Sequence, residues 1–210
     1  MKIGIFGGTF NPVHIGHLRP VEEVREFFNL DKVLFVIAKN PPHKHLNKIL
    51  NAEIRYKILK LALEDNPYFF PSDIELKRDG KSYTFETILE LKNLYINDDI
   101  ILIIGKDSFY EITTWYKWED ILNSVDIIVL NRKISEKTYD KENYLKLLGY
   151  QKISEYQYLN LQTERKIILF DNSIIEISSS KIRENFKNKL SNKYLIPEKA
   201  LNFIINHSFY

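Results

Sequence analysis

The sequence contains no cysteine and no long apolar run. Among its 210 residues the cysteine count is 0, which excludes disulfides and thiolate metal sites and favours a reducing compartment. The longest aliphatic run, residues 100–104, is far below the roughly 18 residues that a membrane-spanning helix needs. The apolar start over residues 3–6 is too short for the core of a secretion signal. We therefore expect a cytoplasmic protein with no membrane partner.

An excess of charge of one sign is also missing. Lys and Arg total 30 and Asp and Glu total 28, so the formal net charge is only +2. Such a balance excludes bulk affinity for nucleic acid, and any basic partner surface has to be local. The length and the 44% of hydrophobic residues suit one domain with a good core. We predict a single domain over residues 1–210.

Short β-branched runs alternate with longer amphipathic stretches. The pattern predicts strands over residues 3–6, 33–38, 73–76, 100–104, 127–130 and 167–170. It predicts helices over residues 15–28, 52–64, 84–94, 116–122, 141–148 and 178–187, with Pro197 as the first residue of a last helix. This alternation is typical of a parallel sheet covered by helices. We therefore predict an α/β fold, an open parallel sheet flanked by helices, with a small C-terminal helical part from about residue 178.

Residues 133–166 fit this alternation least. They are polar and rich in tyrosine, and only one helix is predicted among them. They are expected to be a peripheral elaboration rather than a second domain, and the sequence does not indicate what they do.

The sharpest local feature lies where the first predicted strand turns into the first helix. This first loop, residues 7–17, reads Gly-Gly-Thr-Phe-Asn-Pro-Val-His-Ile-Gly-His. Its glycine pair, Gly7 and Gly8, allows positive φ and close approach of the backbone to a ligand. The N–H groups at the following helix start favour an anion, which His14 and His17 can face together. Gly16 between them is expected to leave room for a bulky ligand.

Each part of the first loop also has an ordinary explanation. A glycine pair after a strand is usually only a turn, and two histidines three apart are often a surface coincidence. The Walker spacing and the dinucleotide Gly-x-Gly-x-x-Gly spacing are both absent. The combination at one strand–helix junction therefore indicates a phosphate loop of another kind.

Two further segments carry basic or hydroxyl groups. Pro41 and Pro42 stiffen the chain before His43 and Lys44. This basic segment is interpreted either as an exposed loop or as a phosphate clamp. The stretch over residues 73–84 ends on Ser-Tyr-Thr, where helix capping is the simpler explanation for Thr84.

Gly105 and Asp107 follow the most apolar predicted strand, residues 100–104. An acid just beyond a strand end is either a helix cap or an acceptor for ribose hydroxyls. Trp115 and Trp118 follow within an aromatic cluster, and such clusters are most often core. We assign Trp118 to the core.

Near the end of the sequence, Ser178-Ser179-Ser180 begins a predicted helix and Arg183 follows one turn later. Hydroxyls at a helix start can cap it or bind phosphate, and an arginine there adds a charged fork. This segment lies far from the first loop in sequence, so both can serve one anion only if the fold brings them together.

These segments resemble a known family. Gly-Gly-Thr-Phe-x-Pro-x-His-x-Gly-His-Leu and Ile-Ser-Ser-Ser-x-Ile-Arg resemble the two signatures of the His-x-Gly-His nucleotidyltransferase superfamily. Pro-Pro-His-Lys, Glu-x-x-Arg-x-Gly-x-Ser-Tyr-Thr and Trp-Tyr-x-x-Glu resemble its nicotinate-nucleotide adenylyltransferase branch. Asn11 stands where many members carry Asp, Lys106 where relatives often have Ala, and Ser180 where threonine is usual.

The resemblance implies a Rossmann-like sheet and transfer of AMP from ATP to nicotinate mononucleotide, giving nicotinate adenine dinucleotide and pyrophosphate. It implies contacts with ATP for Gly7, Gly8, Thr9, Phe10, His14, His17, Gly105, Asp107, Ser179, Ser180 and Arg183. It implies contacts with the mononucleotide for His43, Lys44, Thr84, Trp115 and Tyr116. The catalytic residues would be His14, His17 and Arg183, and Mg²⁺ would come with ATP, held by phosphate oxygens and water. No protein metal ligands are expected, and a homo-oligomer is left open.

Several alternatives stay open at this point. Within the superfamily, the substrate could be nicotinamide mononucleotide, and phosphopantetheine and cytidylyl enzymes are more distant rivals. From another class, His14, His17, His43 and His45 could form a zinc site in a hydrolase, although no Glu accompanies them in a metalloprotease arrangement. A non-catalytic binding module using the basic loop over residues 41–45 would leave the glycine loop and the serine-rich helix start without a purpose.

Overall fold

A computed structural model of the chain describes residues 1–41, 49–131 and 140–210. The strands are β1 (Lys2–Gly8), β2 (Lys32–Ile37), β3 (Phe69–Ser72), β4 (Asp99–Gly105), β5 (Asp126–Leu130), β6 (Gln151–Lys152), β7 (Gln157–Leu159) and β8 (Lys166–Phe170). The helices are α1 (Ile15–Phe28), α2 (Ala52–Leu63), α3 (Thr84–Leu94), α4 (Lys106–Tyr110), α5 (Trp118–Ser124), α6 (Lys141–Leu147), α7 (Ser179–Lys187) and α8 (Glu198–His207).

The strands form one sheet in the order β3-β2-β1-β4-β5-β8-β7-β6. From β3 to β8 all neighbours are parallel, whereas β7 and β6 run antiparallel at the edge. The chain proceeds outward from β1 in one direction and then returns to β4 on its other side. The junction of β1 and β4 is therefore the switch point where open α/β sheets bind ligands. The predicted Rossmann-like α/β fold is confirmed.

Alternating side chains of the central strands belong to two apolar layers, one on each face of the sheet. In β2, Val33 and Phe35 pack with α1, α2 and α8, while Leu34 and Val36 pack with α3, α5 and α6. Strands buried on both faces in this way need nearly continuous apolar sequence, which is why β2, β4 and β5 were readable from the sequence.

Some elements differ from the sequence-based prediction. The strand predicted over residues 73–76 is a turn, and the strand lies just before it, as β3. Pro71 sits in β3, which is tolerated because β3 is an edge strand. The helix predicted over residues 116–122 begins at Trp118 as α5, and Pro197 precedes α8 as its N-cap. The described part of residues 133–166 contributes α6 and the strands β6 and β7, and these two strands widen the sheet.

Among the described residues, the helices are too short or too polar to cross a membrane.

Candidate active site

A cleft of about 1460 Å³ opens beyond the carboxyl ends of β1 and β4. All site residues predicted from the sequence within the described ranges line it, namely Gly7, Gly8, Thr9, Phe10, His14, His17, Thr84, Gly105, Asp107, Trp115, Tyr116, Ser179, Ser180 and Arg183. We call the part formed by residues 7–17 and the start of α7 the loop end. We call the part formed by residues 82–84 and 115–116 the aromatic end. His43 and Lys44 lie outside the described residues.

The first loop is shaped by Phe10. Its glycine pair, which allows positive φ, does not adopt it, and within this loop it is Phe10 that is left-handed, with φ of 44°. Its ring is buried against Phe6, Phe35 and the edge of His17. A Cβ on Gly8 would lie 2.8 Å from that ring. Gly8 is therefore required by the close packing of Phe10, whose strained backbone is held by its buried side chain.

The two histidines of the loop form one unit. His14 precedes α1 and is 1% exposed, and its ring centroid lies 3.7 Å from that of His17. The backbone N–H of His14 donates to Nδ1 of His17 at 3.3 Å. Because an accepting Nδ1 carries no proton, the imidazole proton of His17 sits on Nε2. That Nε2–H is a donor of the kind that phosphate oxygens accept.

The first loop and the start of α7 are in direct contact, as the sequence argument required. The Ser179 hydroxyl donates to the carbonyl of Pro12 at 2.8 Å, and Nη1 of Arg183 donates to the carbonyl of Asn11 at 2.8 Å. Nη2 of Arg183 donates to Oγ of Ser180 at 3.1 Å. The fold thus joins two segments that are 167 and 172 residues apart in these contacts.

Asn11 ties the loop end to the last residues of the sequence. Its side chain is buried, and Oδ1 accepts from the hydroxyl of Tyr210 at 2.9 Å and from the backbone N–H of Leu50 at 3.3 Å. Burial raises the pKa of the Tyr210 hydroxyl, so it remains a donor. Tyr210 could not be predicted from the sequence, since no local pattern around it indicates a partner 199 residues away.

Gly16 has a different role from the predicted one. A Cβ there would lie 2.5 Å from a γ-methyl of Ile177. The space that was expected to hold a ligand is occupied by the chain's own segment leading into α7.

At the aromatic end, backbone contacts fix the start of α3. The N–H of Ser82 donates to the carbonyl of Asn40, and the N–H of Asn40 donates to Oγ of Ser82, both at 3.1 Å. Thr84 is the first residue of α3 and follows Tyr83, whose ring lies 4.6 Å from that of Tyr116. Neither Ser82 nor Thr84 is the N-cap, so the simpler capping explanation does not account for them.

Trp115 lies half-buried in the cleft wall. It follows a 3-10 turn and packs on the apolar layer that includes α3 and α5. Trp118 packs against the same layer, in agreement with its assignment to the core. Asp107 lies exposed in the first turn of α4, beyond the end of β4.

A buried polar network supports the aromatic end from behind. Glu75 is buried, and the Thr87 hydroxyl donates to it at 2.6 Å. Nη2 of Arg78 also donates to that hydroxyl oxygen, at 3.0 Å, while Arg78 pairs with Glu86 and Glu90. The Glu-x-x-Arg pattern in the sequence therefore holds the segment before α3 onto α3 itself.

Arg55, in α2, lies behind the first loop and is 1% exposed. Its guanidinium donates to the carbonyls of Thr9, Ala38, Lys39 and Leu50 at 2.6, 2.9, 3.3 and 2.8 Å. Burial lowers the pKa of this guanidinium to about 10, which leaves it charged at neutral pH. Arg55 was not predicted as a functional residue, because an arginine on an amphipathic helix is ordinarily exposed to solvent.

The zinc-hydrolase alternative gains no support from the described residues. Within them, no three His, Cys, Asp or Glu side chains group as metal ligands. His43 and His45, which that alternative also needs, lie outside them.

The site can be compared with known proteins. A family model described as cytidylyltransferase-like matches residues 5–185. A protein named "probable nicotinate-nucleotide adenylyltransferase" from Carboxydothermus hydrogenoformans is 39% identical over 210 residues, covering 100% of this chain and 98% of that protein. One of the same name from Lachnoclostridium phytofermentans is 36% identical over 209 residues, covering 100% and 98%.

A solved structure is similar over the whole fold. It is a Plasmodium falciparum nicotinic acid mononucleotide adenylyltransferase complexed with NaAD, with a TM-score of 0.73 and 18% identity, covering 100% of this chain and 97% of that chain. At that identity the likeness concerns the architecture.

Proposed function

The chain belongs to the cytidylyltransferase-like family and, within it, to the nicotinate-nucleotide adenylyltransferases, and from that premise we propose that it transfers AMP from ATP to nicotinate mononucleotide. The products are nicotinate adenine dinucleotide and pyrophosphate, a step in the biosynthesis of NAD. The observation that carries the proposal is the contact of Ser179 and Arg183 with the first loop, which gathers imidazole, hydroxyl and guanidinium groups around one cleft.

The reaction requires little covalent chemistry from the protein. An oxygen of the mononucleotide phosphate attacks the α-phosphorus of ATP, and the bond from that phosphorus to the bridging oxygen breaks. Pyrophosphate leaves with the bonding electron pair. Because the attacking oxygen is already ionised near neutral pH, no general base is needed. Catalysis then consists of positioning and of neutralising charge on the phosphorus and the leaving group.

The loop end suits the triphosphate. Nε2–H of His17 would donate to a phosphate oxygen, and His14 would hold its neighbour's ring in place while facing the same anion. Ser180 and Arg183 would meet the phosphates from the other side. Because Arg183 donates to the carbonyl of Asn11, the protein itself orients its guanidinium fork.

The aromatic end suits the nicotinate ring. The ring of Trp115 offers a stacking surface, and the backbone at Thr84 would read the ring carboxylate. Tyr116, exposed beside Tyr83, completes that wall. Asp107 would accept hydrogen bonds from the ribose hydroxyls of ATP.

Mg²⁺ would accompany ATP and supply charge neutralisation at the phosphates. The donor set fits an ion held mainly by phosphate oxygens and water, because the described residues bring no three carboxylates or imidazoles together. A cytoplasmic location and any homo-oligomer remain predictions from the sequence.

The test is to identify the product formed from ATP with each pyridine mononucleotide. With nicotinate mononucleotide we expect stoichiometric pyrophosphate and a dinucleotide with the mass of nicotinate adenine dinucleotide. Nicotinamide mononucleotide is the matched control, because it differs only in replacing the carboxylate with an amide. A clear preference for the amide would overturn the substrate assignment, and absence of pyrophosphate with both would overturn the activity.

A further inference from the structure

Arg55 is the most deeply buried charge in the described part of the molecule, and it does not line the cleft. Burying a cation is costly unless it is paired or fully hydrogen-bonded. No carboxylate of the described residues stabilises it, and its partners are the four backbone carbonyls described above. A charged residue in such a setting is a candidate for a role beyond packing.

The four carbonyls lie in the first loop, just after β2 and just before α2. Thr9 is in the first loop, and Ala38 and Lys39 follow β2. Nε of Arg55 donates to the carbonyl of Leu50, and the N–H of Leu50 donates to the side chain of Asn11. One guanidinium therefore connects the loop end, the end of β2 and the start of α2.

Peptide geometry turns these contacts into an orientation. In a trans peptide the C=O and the following N–H point in opposite directions. Arg55 draws the Thr9 carbonyl away from the cleft, so the N–H of Phe10 is turned the other way. The same bond holds the peptide that leads into the left-handed backbone of Phe10, a conformation that needs support from its surroundings.

The hydrogen bond from Arg55 to the Lys39 carbonyl likewise orients a peptide that contacts the aromatic end. With the Lys39 carbonyl held by Arg55, the next N–H, that of Asn40, points to Oγ of Ser82. Ser82 directly precedes Tyr83 and Thr84 at the start of α3. The two ends of the cleft thus share one buried anchor.

We infer that Arg55 is a positioning residue for the reaction: from behind the cleft it sets the backbone of the first loop for the polyphosphate and, through Asn40, the backbone that receives the mononucleotide. This inference rests on the proposed function for its kinetic readout. We therefore expect loss of Arg55 to impair the use of both substrates. A defect confined to one end of the cleft would impair the use of one substrate.

The test compares Arg55→Lys and Arg55→Met with Leu59→Ala. Lysine keeps the charge but has a single donor atom, which cannot serve carbonyls spread over three segments. Methionine removes charge and donors at similar length. Leu59 is fully buried on the same helix, so its truncation destabilises α2 without touching the carbonyls.

Two readouts are measured at a temperature where each protein is folded by circular dichroism. The first is binding of inorganic pyrophosphate by calorimetry, for which we expect Arg55→Lys to weaken affinity about tenfold and Arg55→Met more, since charged hydrogen bonds are lost. The second is the pair of KM values, which should both rise. Leu59→Ala should leave both readouts within about twofold of the unchanged protein.

The inference is overturned if Arg55→Lys binds pyrophosphate as tightly as the unchanged protein, or if Leu59→Ala reproduces its losses. Failure of the proposed function is a separate result. It would appear as no dinucleotide product from the unchanged protein, in which case pyrophosphate binding still decides the role of Arg55.

Discussion

The loop end and the aromatic end of the cleft are built differently. At the loop end, His14 and Asn11 are buried, and Arg183, Ser179 and the loop carbonyls are already hydrogen-bonded to one another.

At the aromatic end, the rings of Trp115 and Tyr116 are partly or largely exposed, and the order comes from the backbone around Ser82. The loop end is thus held by hydrogen bonds among its own groups, whereas the aromatic end presents open ring surfaces to a ligand. Mutations at the two ends should therefore separate turnover from substrate affinity.

The largest effect is expected from His17→Ala. Losing the Nε2–H donor should lower kcat by about a hundredfold, because it removes a preorganised contact to charge that develops in the transition state. Steady-state rates with ATP and nicotinate mononucleotide measure it, and circular dichroism confirms folding. His207→Ala, an exposed position in α8, is the matched control. Nearly intact turnover in His17→Ala would remove this residue from the catalytic set.

The next effect is expected from Trp115→Ala. Loss of the stacking surface should raise KM for nicotinate mononucleotide about tenfold while KM for ATP changes little. Trp118→Phe serves as the control for the neighbouring tryptophan that packs on the core. An equal rise in both KM values would mean that the two ends are not separable, which is instead the pattern expected for Arg55.

A smaller effect is expected from Tyr210→Phe. The change removes only the hydroxyl that donates to Asn11, while the ring can keep its stacking on Phe186, 5.7 Å away. One buried hydrogen bond is worth about 1 kcal/mol of unfolding free energy, and we expect kcat/KM to fall only a few-fold. Urea unfolding and initial rates measure both quantities. Tyr194→Phe, largely exposed, should change neither.

The smallest effect concerns Glu23 in α1, which accepts a hydrogen bond from the N–H of Ser173 in the cleft wall. Burial raises the pKa of Glu23, but the hydrogen bond from the N–H of Ser173 and the charge of Arg19 outweigh it, so that its pKa lies below the ordinary 4.5. A lowered folded-state pKa contributes stability above the unfolded value, and that stability is lost as pH falls through the folded value.

The corresponding test uses Glu23→Gln. Its thermal midpoint should lie slightly below that of the unchanged protein at neutral pH, and the gap should be smaller at an acidic pH below 4.5, because the folded-state pKa of Glu23 lies below that value. A gap of the same size at both pH values would show that the charge of Glu23 contributes nothing.

Much of this architecture could be predicted locally. The bounds of α1 and α3 agree with the periodic pattern, and the two signature segments indicated the site. What could not be predicted depends on contacts between distant residues. That Phe10 rather than a glycine is left-handed follows from how its ring packs on Phe35, which belongs to another strand. The roles of Arg55 and Tyr210 likewise depend on where the chain returns in space.

The strands at the edge of the sheet also could not be predicted from local sequence. The strands β6 and β7 are two and three residues long, too short for a periodic signal, and they exist because β8 offers an unpaired edge. Gly16 was expected to leave room for a ligand, and only the fold shows that its neighbour is Ile177 of the same chain.

The most direct measurement is a crystal structure of the protein soaked with its dinucleotide product, nicotinate adenine dinucleotide. We expect the phosphates at the loop end, within hydrogen-bonding distance of Nε2 of His17 and of Arg183, and the nicotinate ring against Trp115. A dinucleotide bound in the opposite direction, or phosphates lying away from both side chains, would contradict it.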